Sequence, residues 1–399
     1  MLLACLSAGA APGVAQAAKI KLETRPSYTV KQATVLESPY VAVHYVRTSK
    51  DAAKFVDDDK DGVPNYVEKL IAAANEAWLF YGKNGFKAPL PDSAGGNAKV
   101  DIYVKALPAG IFGYAVPPKF TRNGAFMVVD NKLNVAHRTT GSLQQTIAHE
   151  LFHLFQFSYV PSGNLPIWAA EGTAVAMETF VYPQIADAFS FAAVDHWLNQ
   201  PWRSLYDEAR GCDHCYGSAL WWRFVFSLGN NVMSEYFGRL YGYEKIGKPI
   251  LNGLQPLNEI LLKRKKETLY DAFSRFSYNI YRSGYRPATA YSIQATSSPQ
   301  RTKIQTVVGL STHYIPVKTA ARTRGVLIGV GLGGGPTPNV KLVVGGPKGR
   351  VIPGIRRDGG RERYFDVRFA NERERKNVML IVTSGRQEGA AYLVATQTQ

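Results

Sequence analysis

Apolar residues recur along this chain in two rhythms. Between residues 66 and 81 they come at helical spacing (Val67, Leu70, Ile71, Ala74, Trp78), which predicts a helix with one buried face. Residues 41–46, 100–104 and 125–129 are short apolar or alternating runs, and each predicts a strand. Helical spacing dominates from Ser142 to about Tyr281. After Tyr285 the texture changes. β-Branched runs at 325–330, 340–344, 378–382 and 391–395 are separated by Gly, Pro and Asn clusters, the pattern of a β-sandwich or jelly roll. The expected architecture is α+β: a domain of mixed sheet and helices over residues 38–285, then an all-β sandwich over 286–399. The boundary is expected near 286–300, where Ser, Thr, Pro and Ala are common, and residues 18–37 read as a polar lead-in.

The 399 residues, 46% hydrophobic and 20% charged, suit a folded chain with room for two domains. Three cysteines are too few for a disulfide scaffold. Residues 1–17 carry no charge, and Ala15-Gln16-Ala17 has the form of a cleavage site. They are expected to be an export signal, although the usual basic leader is missing, and the protein to be secreted or periplasmic. Leu2-Leu3-Ala4-Cys5 also has the form of a lipoprotein box, which keeps a lipid anchor open. No later stretch is long and apolar enough to span a bilayer. Net charge is +16, and from Arg286 onward 18 Lys/Arg face only 6 Asp/Glu. That bias allows the C-terminal domain an anionic surface polymer as partner, although a merely solvated basic surface is the simpler account. Nucleic acid is not expected, because the interleaved aromatics of a stacking platform are missing there. A monomer is expected.

The chemistry centres on Ala148-His149-Glu150-Leu151-Phe152-His153. Histidines four apart on a helix share one face, one turn apart. Glu150 sits about 100° round from His149, within reach of a metal-bound water without ligating the metal. Ser142 and Gln145 fit a capping box at the start of this helix. Leu143, Ile147, Leu151 and Leu154 form an apolar stripe away from the histidines. A catalytic zinc needs a third protein ligand and one open position. Glu171, in Trp168-Ala169-Ala170-Glu171-Gly172-Thr173-Ala174, is the best candidate. The interval allows the first helix to end, a turn through Pro161-Ser162-Gly163-Asn164, and a second, antiparallel helix with Pro166 in its first turn. Gly172 and Ala174 are small enough for close helix contact beside the metal.

With these residues the sequence resembles the gluzincin metallopeptidases, in which H-E-x-x-H is followed by a glutamate ligand on the next helix. It is similar to the branch with a W-x-x-E-G-x-A second helix, which includes the peptidase-MA-like proteins. It also resembles a group of secreted bacterial metalloproteases that add an upstream D-G-V-P-x-Y-V-E segment, here Asp61 to Glu68. The resemblance covers roughly residues 38 to 285 and implies a zincin-like fold. Carried over by position, it implies His149, His153 and Glu171 as zinc ligands and Glu150 as general base. Thermolysin-like enzymes have an aspartate four residues after the glutamate ligand; here that position is Val175. Glu178, on the same helical face as Glu171, is the candidate to orient a ligand histidine instead. Related enzymes take an oxyanion donor from a later helix. In Cys212-Asp213-His214-Cys215-Tyr216-Gly217, Tyr216 is the first candidate and His214 the second.

Asp57-Asp58-Asp59-Lys60-Asp61-Gly62 followed by Glu68 fits the calcium-loop pattern D-x-D-x-D-G-x5-E. Asp57, Asp59, Asp61, the Val63 carbonyl and Glu68 are the expected ligands. Pro64 at the eighth position and the lack of a preceding helix argue for an isolated loop rather than a paired EF-hand. An acidic cap on the helix from Tyr66 is the simpler alternative. Cys212 and Cys215 form a C-x-x-C pair, expected as a local disulfide after export. The function expected is a secreted, zinc-dependent metalloprotease acting on protein or peptide. Two alternatives stand beside it: a non-peptide zinc hydrolase or amidase on the same scaffold, and a calcium-stabilised surface-binding protein with a vestigial zinc site.

Overall fold

The computed structural model describes residues 3–6, 25–30, 33–54, 56–91, 97–118, 124–135, 142–184, 195–207, 213–229, 231–289, 291–332, 338–357, 362–384 and 390–399. Among them the chain is a mixed α+β protein with two compact units. The first comprises Met1–Val194 and Gly211–Pro256, the second Asp195–Arg210 and Leu257–Gln399. Of the expected signal segment 1–17, only residues 3–6 are described.

The first unit contains β1 (Leu3–Leu6), β2 (Thr34–Glu37), β3 (Val41–Tyr45), α1 (Asn65–Lys83), β4 (Val100–Lys105), β5 (Ile111–Val116), β6 (Phe126–Asp130), α2 (Leu143–Phe157), α3 (Ile167–Val181), α4 (Asp213–Gly217), α5 (Ala219–Ser227) and α6 (Val232–Lys245). Its sheet has the order β1-β5-β6-β4-β3-β2. β3, β4 and β6 run parallel, and the outer strands pair antiparallel. The parallel strands are buried almost throughout, as strands covered on both faces must be. α1 and α2 lie against strands of this sheet. Elsewhere on it Tyr103, Tyr114, Val116, Phe126 and Val128 cluster, with Tyr28 packed on them. The Tyr28 hydroxyl reaches the carbonyls of His44 at 2.6 Å and Val104 at 3.1 Å. The polar lead-in thus contributes a residue that closes the sheet.

α2 is the centre of this unit. It packs on α1, α3, β5 and β6, and every residue of it except Gln144 is buried. The Ser142 hydroxyl accepts from the Gln145 backbone N–H at 3.4 Å, as a helix cap should. The return arm of the expected capping box is missing, because the Gln145 side chain is drawn to Glu178 on α3. α3 begins after Pro166 and is buried nearly end to end. Its Gly172 is a true close approach: a Cβ there would lie 1.9 Å from Ser218 Oγ and 2.8 Å from Trp222 Cδ1.

The second unit holds most of α7 (Leu254–Lys265), then α8 (Leu269–Arg282), β7 (Ile293–Gln294), β8 (Gln300–Arg301), β9 (Gln305–Val307), β10 (Thr312–Lys318), β11 (Gly325–Leu332), β12 (Asn339–Val344), β13 (Arg350–Ile352), β14 (Ile355–Arg357), β15 (Glu362–Arg368), α9 (Glu372–Lys376), β16 (Val378–Thr383) and β17 (Ala390–Thr398). One sheet has the order β13-β12-β16-β10-β7. The other is β14-β15-β11-β17-β8, with β9 also on β17. Alternate residues of both sheets, among them Ile315, Leu342, Leu380, Ile328, Phe365 and Val394, close on one core. Sequence texture puts the change of domain near 286–300, but α8 belongs with the strands that follow it. Its Tyr281 packs with Tyr314, Val343 and Ile381. Ser277 bonds Thr312 at 2.7 Å and accepts through its carbonyl from Tyr314 at 2.8 Å. Helical spacing shows that α8 has an apolar face but not which sheet covers it. No helix among the described residues is long and apolar enough to cross a membrane.

Candidate metal centre

The two histidines of α2 and the glutamate of α3 meet. One ligand atom from each of His149, His153 and Glu171 lies within 4.8 Å of the others, and all three residues are buried. His149 Nε2 is 3.1 Å from Glu171 Oε2, and His153 Nε2 is 3.7 Å from the same oxygen. This group could hold a metal ion. Helical spacing brings the rings together edge to face, with centroids 4.8 Å apart. The antiparallel return of α3, with Gly163 turning at φ +69°, brings the carboxylate across.

Each histidine is also held from behind. His149 Nδ1 lies 2.6 Å from Glu178 Oε1, and the Gln145 amide donates to Glu178 Oε2 at 2.8 Å. Glu178 therefore does the orienting that Val175, an apolar buried residue here, cannot do. His153 Nδ1 lies 2.8 Å from Gln156 Oε1. Gln156 was not singled out from sequence; its position three residues after His153, on the same helical face, is the signal that finds it. Burial alone would raise the Glu171 carboxyl. The imidazoles of His153 and His149 outweigh that and hold it down at about 2. Burial would likewise depress His149, but hydrogen bonds to Glu171 and Glu178 hold its pKa well above the ordinary value. The centre is thus an anionic carboxylate facing two imidazoles.

Glu150 is buried on the same helix. β5 runs flush against it, and a Cβ on Gly113 would come within 3.0 Å of Glu150 Cγ and of the Val128 carbonyl. Neither β5 nor Gly113 stood out in the sequence, since the run 111–116 is short and broken by glycine. Backbone pairing puts Cys5 of β1 opposite Gly113 on the other edge of β5.

Tyr216, on α4, is buried with its ring centroid 6.4 Å from that of His149. His214 is buried on the same helix. Cys215 is a buried free thiol, so the expected disulfide is not formed. Its carbonyl sits 3.1 Å from where a Cβ of Gly172 would be, which puts this turn against α3. Cys212 lies outside the described residues.

The acidic loop forms a second group, with Asp57, Asp59 and Asp61 carboxylate oxygens within 4.8 Å of one another. The loop is wired by its own side chains. Asp57 accepts from the Gly62 N–H at 2.9 Å, Asp59 from Asp61 at 3.3 Å and Asp61 from Val63 at 2.7 Å. Gly62, at φ +88°, makes the turn. Glu68 is not part of the close group. Its carboxyl is raised, first by desolvation and then by Asp59, Asp61, Asp57 and Asp58.

No protein-family model matches this chain, and no curated protein sequence matches it.

Proposed function

We propose that this protein is a secreted zinc-dependent metallopeptidase. The observation that carries the reading is the convergence of His149, His153 and Glu171 beside the buried carboxylate of Glu150. Two imidazoles and one carboxylate make the ligand set of a catalytic zinc. Tetrahedral ligands about 2.1 Å from a zinc ion stand about 3.4 Å apart, and the spacings of 3.1 and 3.7 Å around Glu171 Oε2 fit that. A zinc ion held there would acidify a water and polarise the scissile carbonyl. Glu150 takes the proton of the attacking water and returns it to the leaving amine. Tyr216 is the donor for the developing oxyanion.

The edge of β5 supports a peptide over other substrates. It already accepts an extended segment, Leu3–Leu6, in antiparallel pairing opposite Gly113, and a substrate strand bound by the same main-chain bonds would run past Glu150. The acidic loop is proposed as a calcium site that stabilises the start of α1. In the strand-rich unit Arg356 and Arg363 are paired across strands. Arg363 is held below its usual range, by burial first and then by Arg356. This crowding supports an anionic polymer as its partner.

The test is hydrolysis of a denatured protein by the full chain, with metal content measured in parallel. A chelator should abolish cleavage, zinc should restore it, and Glu150→Gln should bind zinc without cleaving. Full activity of zinc-loaded Glu150→Gln would sink the mechanism. Cleavage only of non-peptide amides or esters would favour the alternative hydrolase. No hydrolysis at all, with retention on an anionic polymer, would favour a binding protein with a vestigial centre.

A further inference from the structure

We infer that Gln156 is a positioning residue that dictates which nitrogen of His153 is free, by reading the backbone of the neighbouring helix. The Gln156 amide nitrogen donates to the Ala170 carbonyl at 2.9 Å and to Thr173 Oγ1 at 2.9 Å. A carbonyl can only accept. Thr173 gives its own proton to the Ala169 carbonyl at 2.6 Å, so it too faces Gln156 as an acceptor. Turning the amide over would set its oxygen against the Ala170 carbonyl, and Thr173 could meet it only by giving up its own bond to Ala169. Gln156, Thr173 and His153 are all buried, so no bulk water compensates.

The orientation of the amide is therefore set by α3. That leaves Gln156 Oε1 as the atom facing His153 Nδ1 at 2.8 Å. An amide oxygen only accepts, so Nδ1 must carry the hydrogen. The lone pair of neutral His153 then falls on Nε2, which has no hydrogen-bond partner among the described residues and lies 3.7 Å from Glu171 Oε2. For His149 a carboxylate does the same work in either orientation. For His153 the work depends on a neutral amide that could flip, and the Ala170 carbonyl prevents the flip. Ala170 immediately precedes Glu171. One side chain thus ties the tautomer of a ligand on α2 to the helix that delivers the third ligand.

The consequence for metal affinity rests on the metallopeptidase reading; the tautomer does not. Nitrogen-15 spectra of the metal-free protein, at a pH where the ring is neutral, should show His153 as the Nδ1–H form. Gln156→Leu should give a mixture with the Nε2–H form. Its zinc affinity, measured by chelator competition, should fall about 10–100-fold. Thr173→Val keeps the Ala170 carbonyl and should keep the Nδ1–H form. An Nε2–H ring in the wild type would overturn the inference, whether or not any variant folds. So would a Gln156→Leu protein whose tautomer and affinity are unchanged. A wild type that shows the Nδ1–H form but binds no zinc would defeat the metallopeptidase reading and leave the role of Gln156 standing.

Discussion

Glu178 is the most informative residue to change. It is buried and has two jobs: Oε1 holds His149 Nδ1 at 2.6 Å, and Oε2 accepts from Gln145 at 2.8 Å. Glu178→Gln keeps one oxygen. If that oxygen stays on His149, the new NH2 group meets the NH2 of Gln145. Gln145 can answer by turning over, because its Oε1 has no partner among the described residues of the wild type. What is lost is the charge on one hydrogen bond: a charge-assisted bond contributes about 1.5–3 kcal/mol and a neutral one about 0.5–1.5. The difference, about 1–1.5 kcal/mol, is about tenfold in metal affinity. Glu178→Ala has no such repair. It leaves two buried donors unmet, each costing about 1–3 kcal/mol, so the metal-free protein should lose about 2–6 kcal/mol of stability. Zinc affinity is read by competition with a calibrated chelator, and stability by urea unfolding of the metal-free protein. The expected order in both is wild type, then Gln, then Ala. If Glu178→Ala binds zinc within about twofold of wild type, the carboxylate does not orient His149 and the account is wrong. If Gln proves worse than Ala, the proposed turning of Gln145 does not happen.

Gly172→Ala should lower the melting temperature, with a loss of about 1–3 kcal/mol from overpacking, because its Cβ would meet Ser218 Oγ and Trp222. A rise, as helix propensity alone would give, would refute the packing argument. His313 in the strand-rich unit is pushed down to about 4 by burial, with Nδ1 held by Tyr392 at 2.6 Å. Its folded pKa is below the unfolded value of about 6.5, so the unfolded chain takes up the proton first as pH falls. The stability is fully present above about pH 6.5 and is lost on the way down to about pH 4, to a limit of about 3 kcal/mol. Urea unfolding across that window should show the loss in the wild type and a flatter profile in His313→Gln; equal slopes would contradict it. Calcium should raise the melting temperature, by about 2.7 kcal/mol of stability at a hundredfold excess over its dissociation constant. Asp59→Asn should shrink that shift, and an identical shift in the variant would count against the loop.

Much of the centre was legible in the sequence because helices are periodic. Histidines at i and i+4 must share a face in any helix, so His149 and His153 could be paired before any fold was known. Glu171 could be reached because a short turn leaves a following helix little choice but to return alongside. The acidic residues Asp57, Asp59 and Asp61 were likewise local, and their carboxylates do come together, with Glu68 outside that group. Gln145 looked like a capping partner for Ser142 and went to Glu178 instead, because a buried carboxylate competes better than a helix end.

What tertiary structure alone decided is who faces whom across elements. The sequence by itself determined the two-histidine face, the glutamate between them, a mixed first half and a strand-rich second half. It did not show that β5 lies flush with Glu150 through Gly113, that α8 belongs with the second unit, or that the Tyr216 ring lies near that of His149. Nor did it show that Gln156 bridges to Ala170. Local propensity and spacing are properties of neighbouring residues, whereas these pairings join residues made adjacent only by packing. Their energies come from burial and from meeting every buried donor with an acceptor, which no short stretch of chain can satisfy alone.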